Sequence, residues 1–165
     1  MISLKNILVA TDFSEPSDHA LTYGRALAQK FDATLSVLNV VDNTLALGVG
    51  MEGYVGNFPD LQREVEQSAE HQLRSLVGAD ETVRARPVIL TSNTPAATIV
   101  DYAKSAGIDL IVMGTHGRGA VAHLLMGSVA EKVVRTAPCP VLTVRHPEHE
   151  FVLPDALVET KAAEA

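Results

Sequence analysis

The chain alternates between short unbroken apolar runs and longer stretches in which apolar residues return every three or four positions. Ile7 to Ala10 is an apolar run closed by the polar pair Thr11 and Asp12, the pattern of a strand covered on both faces. Ser14, Glu15 and Pro16 then supply an N-cap and a first turn, and Ala20, Leu21, Gly24, Leu27, Ala28 and Phe31 fall on one helical face. Thr34 to Val41 is β-branched and apolar between Ala33 and Asp42, which predicts a second strand. From Asp60 to Val77, Leu61, Val65, Ala69, Leu73 and Leu76 step by three or four, predicting the longest helix with Gly78 at its end. Arg84 to Leu90 reads as a third strand, and Thr94 and Pro95 open a helix carrying Ile99, Val100 and Ala103 up to Gly107. Asp109 to Met113, Val129 to Thr136 and Val141 to Val144 complete the series as strand, helix and strand.

This βαβαβαβαβ order predicts an α/β fold: a five-stranded parallel open sheet with helices on both faces, joined by right-handed crossovers. In such a fold ligands bind beyond the carboxyl ends of the strands, where the strand order switches. Two stretches stand outside the rhythm. Residues 43 to 57 hold four of the eleven glycines, Gly48, Gly50, Gly53 and Gly56, and form a candidate lid after the second strand. Residues 146 to 165 form a C-terminal tail with an apolar Phe151-Val152-Leu153 and an Ala- and Glu-rich end. The expected division is one domain over 1–145 followed by this tail.

At 165 residues, with 47% hydrophobic and 20% charged residues, the chain is long and apolar enough for one core and excludes wholesale disorder. Thirteen basic against twenty acidic residues give a formal charge of −7. With no run of Lys and Arg, nucleic acid is not an expected partner, whereas a small phosphorylated ligand stays open because backbone amides hold phosphates on acidic proteins. The single Cys139, between Pro138 and Pro140, forms no intramolecular disulfide and has no companion ligands, so a reducing cytoplasm is the expected compartment. Ile7 to Ala10 is too short for a signal-peptide core, and no segment reaches the roughly 20 apolar residues that cross a bilayer. Spacings of His, Asp and Glu write no metal site.

The candidate chemistry lies in a second glycine group, Gly114, Gly117, Gly119 and Gly127, between the fourth strand and the last helix. Gly114 is expected to leave the strand in a conformation closed to other residues, and Gly117 to let backbone approach a ligand. Gly127 and Ser128 are expected to offer free N–H groups and a hydroxyl at the positive end of a helix, where an anion sits without a lysine. A P-loop is excluded because Gly119 is followed by Ala120 and Val121. Gly117, Gly119 and Ala122 match a dinucleotide fingerprint only formally, since the segment follows neither a first strand nor carries the acidic residue about 20 positions on.

Gly114, two residues, Gly117, nine residues, Gly127 and Ser128 resemble the signature of the nucleotide-binding branch of the universal stress protein family. The resemblance extends over residues 3 to 145, through Lys5-Asn-Ile-Leu-Val-Ala-Thr-Asp-Phe-Ser14, Asn39-Val40-Val41-Asp42, Asp109-Leu-Ile-Val-Met-Gly114 and Pro138-Cys-Pro-Val-Leu-Thr-Val144. It implies a Rossmann-like sheet of the adenine-nucleotide α-hydrolase-like kind, in strand order 3-2-1-4-5, with an ATP site at the carboxyl ends of strands one and four. By that resemblance Ala10, Thr11 and Asp12 lie against the nucleoside and Val40 reads adenine through its backbone. Met113 and Gly114 border the ribose, and Gly117, Gly127, Ser128 and Val129 hold the phosphates; Arg118 is a further candidate phosphate contact that the loop's own residues offer, not the resemblance. Mg²⁺ arrives on the nucleotide. Asn39 stands where relatives usually carry His, and Ala10 where many carry Pro.

Several residues keep a second reading. Asp12 is either a helix cap or a ligand contact, and the resemblance favours the ligand. Arg118 and His116 are phosphate contacts or solvated loop residues, while His123, Cys139 and Met126 are read as packing residues. Three functions follow: a nucleotide-responsive regulator of the stress response, favoured; a slow ATPase or nucleotidyl-transfer enzyme, disfavoured because the loop has no dedicated Lys or evident base; and a nucleotide-independent interaction module. Strand five, as an edge, together with the resemblance, implies a homodimer through residues 141–145, and the regulator reading requires a protein partner that the residues do not identify.

Overall fold

The computed structural model describes residues 2–43, 58–78, 82–115 and 126–145. The elements run β1 (Asn6–Ala10), α1 (Glu15–Phe31), β2 (Thr34–Val41), α2 (Phe58–Gly78), β3 (Ala85–Thr91), α3 (Pro95–Ser105), β4 (Leu110–Gly114), α4 (Ser128–Thr136) and β5 (Val141–Val144). All strand pairs are parallel, in the order β3-β2-β1-β4-β5, as the resemblance implied. The candidate lid, apart from Asn43, and the tail lie outside the described residues.

Side chains alternate across the sheet, and each face has its own core. Ile7, Val9, Leu35, Val37 and Val112 pack under Ala20, Leu21 and Ala28 of α1 and Leu73 of α2. Leu8, Leu38, Ile111 and Met113 face Ala96, Ile99 and Ala103 of α3 and Ala130 and Val133 of α4. Among the described residues the buried hydrophobic ones are all aliphatic apart from Met113, which lets helices sit close to the sheet. A Cβ at Gly24 would stand 2.3 Å from Cγ2 of Val9, so only glycine lets α1 settle at this distance.

Element ends follow local chemistry. Gly107, with φ of +60°, turns the chain after α3, the left-handed position that glycine fills beyond a helix end. Asp109 falls just before β4, where its carboxylate accepts the N–H groups of Lys5 (2.7 Å) and Asn6 (2.9 Å). Those two bonds hold its carboxyl below the usual range and fix the start of β1 beside that of β4.

The expectation for Gly114 needs correction. It stays in β4, opposite Val144, and Gly107 is the glycine of positive φ among the described residues. The sheet continues through Gly114 because Thr115 still donates its N–H to Val144 at 2.9 Å, which keeps the backbone extended.

Candidate functional site

A cleft of about 870 Å³ opens at the carboxyl ends of β1, β2 and β4, a volume in the range of small-molecule sites. β1 ends first. Ala10 is opposite Leu38, and Thr11 makes the last bond to β2 by donating its N–H to Leu38 at 2.9 Å. β2 runs on through Asn39, Val40 and Val41, which pair with Ile89, Leu90 and Thr91 of β3. Backbone groups alternate sides along a parallel strand, so Val40 directs its N–H and C=O to the same side as Leu38, past the end of β1. A donor and an acceptor of the central sheet therefore face the cleft.

The loop after β1 is held by side chains. The Asn39 amide nitrogen, on a residue only 6% exposed, donates to the Thr11 carbonyl at 2.8 Å. The Thr11 hydroxyl accepts the Phe13 N–H at 3.0 Å and lies 3.0 Å from the Ser17 hydroxyl, which donates to the Ser14 carbonyl at 2.7 Å. Phe13 takes φ of +62°, an uncommon conformation for a bulky side chain, and these bonds on either side hold it there. One oxygen of Asp12 accepts the N–H and the hydroxyl of Ser14, the residue that precedes α1, at 3.2 and 2.5 Å. Asp12 also lines the cleft, and Ser14, the N-cap residue of α1, makes no side-chain cap bond to that helix.

Opposite this loop, α4 begins at the cleft with no side-chain cap. Among the described residues, Glu131 is the first of this helix whose N–H meets a backbone carbonyl, that of Gly127 at 2.9 Å. The early amides of Ser128, Val129 and Ala130 are the donors that a helix start leaves over. Gly127 corrects an expectation: its N–H is not free but donates to the Thr115 carbonyl at 2.7 Å. The bond arises because Thr115 follows the end of β4 and Gly127 returns the chain to the same place. With φ of −71° and ψ of 155°, Gly127 needs no glycine-only conformation.

The third wall is α2, where Leu61 (47% exposed) and Val65 (37% exposed) turn apolar side chains to the cleft beside Ser68, Ala69 and Gln72. Gln62, nearly buried, donates to the Asp42 carbonyl at 3.4 Å and to Glu66 at 2.9 Å, tying α2 to the end of β2. The Thr91 hydroxyl also donates to Glu66, at 2.7 Å, and with Gln62 holds that carboxyl below its ordinary range. The described lining carries the carboxylates of Asp12, Asp42 and Glu64 and no Lys or Arg.

The fold thus brings Ala10, Thr11, Asp12, Val40, Met113, Gly114, Gly127, Ser128 and Val129 to one cleft. Gly117 and Arg118, with His116 and His123, lie outside the described residues. Asn39, Phe13, Ser17 and the α2 wall are not among the site residues that the sequence predicts; only the departure from His at position 39 signals one of them. Cys139 and Met126 pack against the core under α3 and α4, and burial pushes the Cys139 thiol pKa up. Among the described residues no group of His, Cys, Asp and Glu has the arrangement of a metal site, and no helix is long and apolar enough to cross a membrane.

Comparison with known proteins bears on this cleft. The family model described as the universal stress protein family matches residues 3–145. A universal stress protein of Methanocaldococcus jannaschii is 35% identical over 146 residues, covering 88% of this chain and 85% of its own. The solved universal stress protein UspA of Lactobacillus plantarum superposes with a TM-score of 0.74 at 29% identity, over 88% of this chain and all of that one. A universal stress protein of Archaeoglobus fulgidus, solved in complex with dAMP, shares the fold with a TM-score of 0.61 at 21% identity, over 87% and 99% of the two chains. With a parallel sheet in the order 3-2-1-4-5 and a family match over nearly all its described residues, the chain belongs to the universal stress protein family.

Proposed function

We propose that the cleft binds an adenine nucleotide, ATP, and that the protein is a nucleotide-responsive regulator in the stress response, acting in the cytoplasm. The observation that carries this reading is the placement on one cleft of two sets of backbone groups that no described residue uses. At the β2 end, Val40 offers a donor and an acceptor in line, the pair that the edge of adenine complements. At the α4 end, the amides of Ser128, Val129 and Ala130 offer donors at a positive helix terminus, which suits phosphate. Leu61 and Val65 give the base an apolar wall. The dAMP complex of the Archaeoglobus fulgidus neighbour supports the ligand class.

The nucleotide is proposed to arrive with Mg²⁺, because the described lining is acidic. Hydrolysis, if it occurs, is proposed to be slow, since the hydrogen-bonded groups at this site hold loops in place. The protein is proposed to dimerise through β5, whose outer edge lies at one side of the sheet. The opposite edge, β3, carries Pro87, which has no N–H to offer a neighbouring strand.

Equilibrium titration with Mg-ATP, ADP, AMP and GTP, with phosphate release followed in the same samples, tests the reading. Saturable, adenine-selective binding with little phosphate released is the expected result. Rapid turnover moves the protein to the enzymes, and no binding removes the nucleotide reading.

A further inference from the structure

Asn39 has bonding capacity that the described residues of the protein do not use. It is 6% exposed, it lines the cleft at the end of β2, and its side chain's one hydrogen bond among the described residues runs from the amide nitrogen to the Thr11 carbonyl. A carbonyl only accepts, so the amide nitrogen must face Thr11 and Oδ1 is turned elsewhere. Among the described residues Oδ1 and the second N–H have no partner, and buried amide groups left unpaired are rare enough to require a reason.

We infer that the Asn39 carboxamide is a specificity determinant for the base: Oδ1 accepts a hydrogen bond from the exocyclic amine of the bound adenine. This rests on the adenine-nucleotide reading of the cleft and adds to it a side chain beside the backbone of Val40. Chemistry selects the amine. An orphan acceptor requires a donor, and the exocyclic amine carries the N–H groups of adenine, whereas guanine and hypoxanthine present a carbonyl oxygen at that position. The bond to Thr11 holds the amide plane in place before ligand arrives, so selection costs no reordering of the side chain.

A cycle over protein and ligand tests this. Affinities for Mg-ATP and for purine riboside triphosphate, which has hydrogen in place of the amine, are measured for the native chain and for Asn39→Leu. Asn39→Ser serves as the smaller replacement if the leucine variant does not fold. Losing the bond to Thr11 disturbs the loop for both ligands alike, so only a contact to the amine changes their ratio. The expected result is that the native preference for ATP over the analogue falls about tenfold in the variant, the scale of one buried hydrogen bond. Equal loss for both ligands overturns the inference and leaves Asn39 as a positioning residue for Thr11. Coupling to 2′-deoxy- or 3′-deoxy-ATP in place of the amine analogue overturns the assignment to the base. A native protein that binds neither triphosphate defeats the nucleotide reading itself.

Discussion

The backbone N–H of Gly127 donates to the carbonyl of Thr115 at 2.7 Å, joining the residue before α4 to the residue after β4. The amide most tempting to assign to a phosphate is thereby committed to the fold, and the donors left for an anion begin one residue later, at Ser128. Proline at the first position of a helix removes an N–H that the helix does not use. Ser128→Pro is therefore expected to keep or raise the melting temperature while weakening Mg-ATP binding about fivefold to tenfold, the worth of one hydrogen bond to a charged group after partial compensation. Adenosine affinity should hardly change, and a titration of both ligands checks the contrast.

The base end allows the matching experiment. Val40 turns its N–H away from β3 and past the end of β1, so the sheet does not depend on it. Val40→Pro is expected to fold and to weaken ATP, AMP and adenosine by a similar factor of about ten. Calorimetric titration of the three ligands separates this uniform loss from the phosphate-dependent loss at Ser128.

Asp12, Asp42 and Glu64 line the cleft without a Lys or Arg among its described residues. A free triphosphate would meet repulsion there, and a bound Mg²⁺ reduces the nucleotide's charge. Removing Mg²⁺ with EDTA is expected to weaken ATP binding at least tenfold and adenosine binding little. Equal affinity with and without the metal would contradict the electrostatic account.

The clamp at the opposite end of the sheet predicts a pH effect on stability. Asp109 has its carboxyl held below the usual range by the N–H groups of Asn6 and Lys5. A depressed folded pKa means a stabilising contribution that is complete above the unfolded pKa and lost as pH falls through the folded one. Asp109→Asn is expected to melt below the native chain at pH 7, with the gap closing as pH falls below about 4. Urea melts across that range check it; a gap independent of pH would show that the charge is not what holds the strands.

Much of the architecture was legible because each element carries its own periodicity. The run Ile7 to Ala10 predicts a strand buried on both faces, and β1 has cores above and below it. The glycine spacing led to the loop joining β4 to α4 because it bracketed those elements. Contacts between residues distant in sequence were not legible. Nothing near Gly127 announces that Thr115 will take its N–H, and the bond from Asn39 to Thr11 exists only once β2 outruns β1. The exposed apolar wall of Leu61 and Val65 looked like part of a core stripe, since periodicity reports a face and not what covers it.

The two sets of backbone groups on this cleft that no described residue uses are proposed to bind an adenine nucleotide. The most direct measurement is a thermal melt of the purified protein with and without Mg-ATP, together with extraction of any nucleotide that co-purifies. At ligand about 100-fold above Kd, linkage predicts roughly 2.7 kcal/mol of stabilisation, a rise of roughly 5–10 °C for a chain of this size. That rise, or ATP released from the preparation, is the predicted result; an unchanged melting temperature at saturating Mg-ATP with no nucleotide extracted would contradict it.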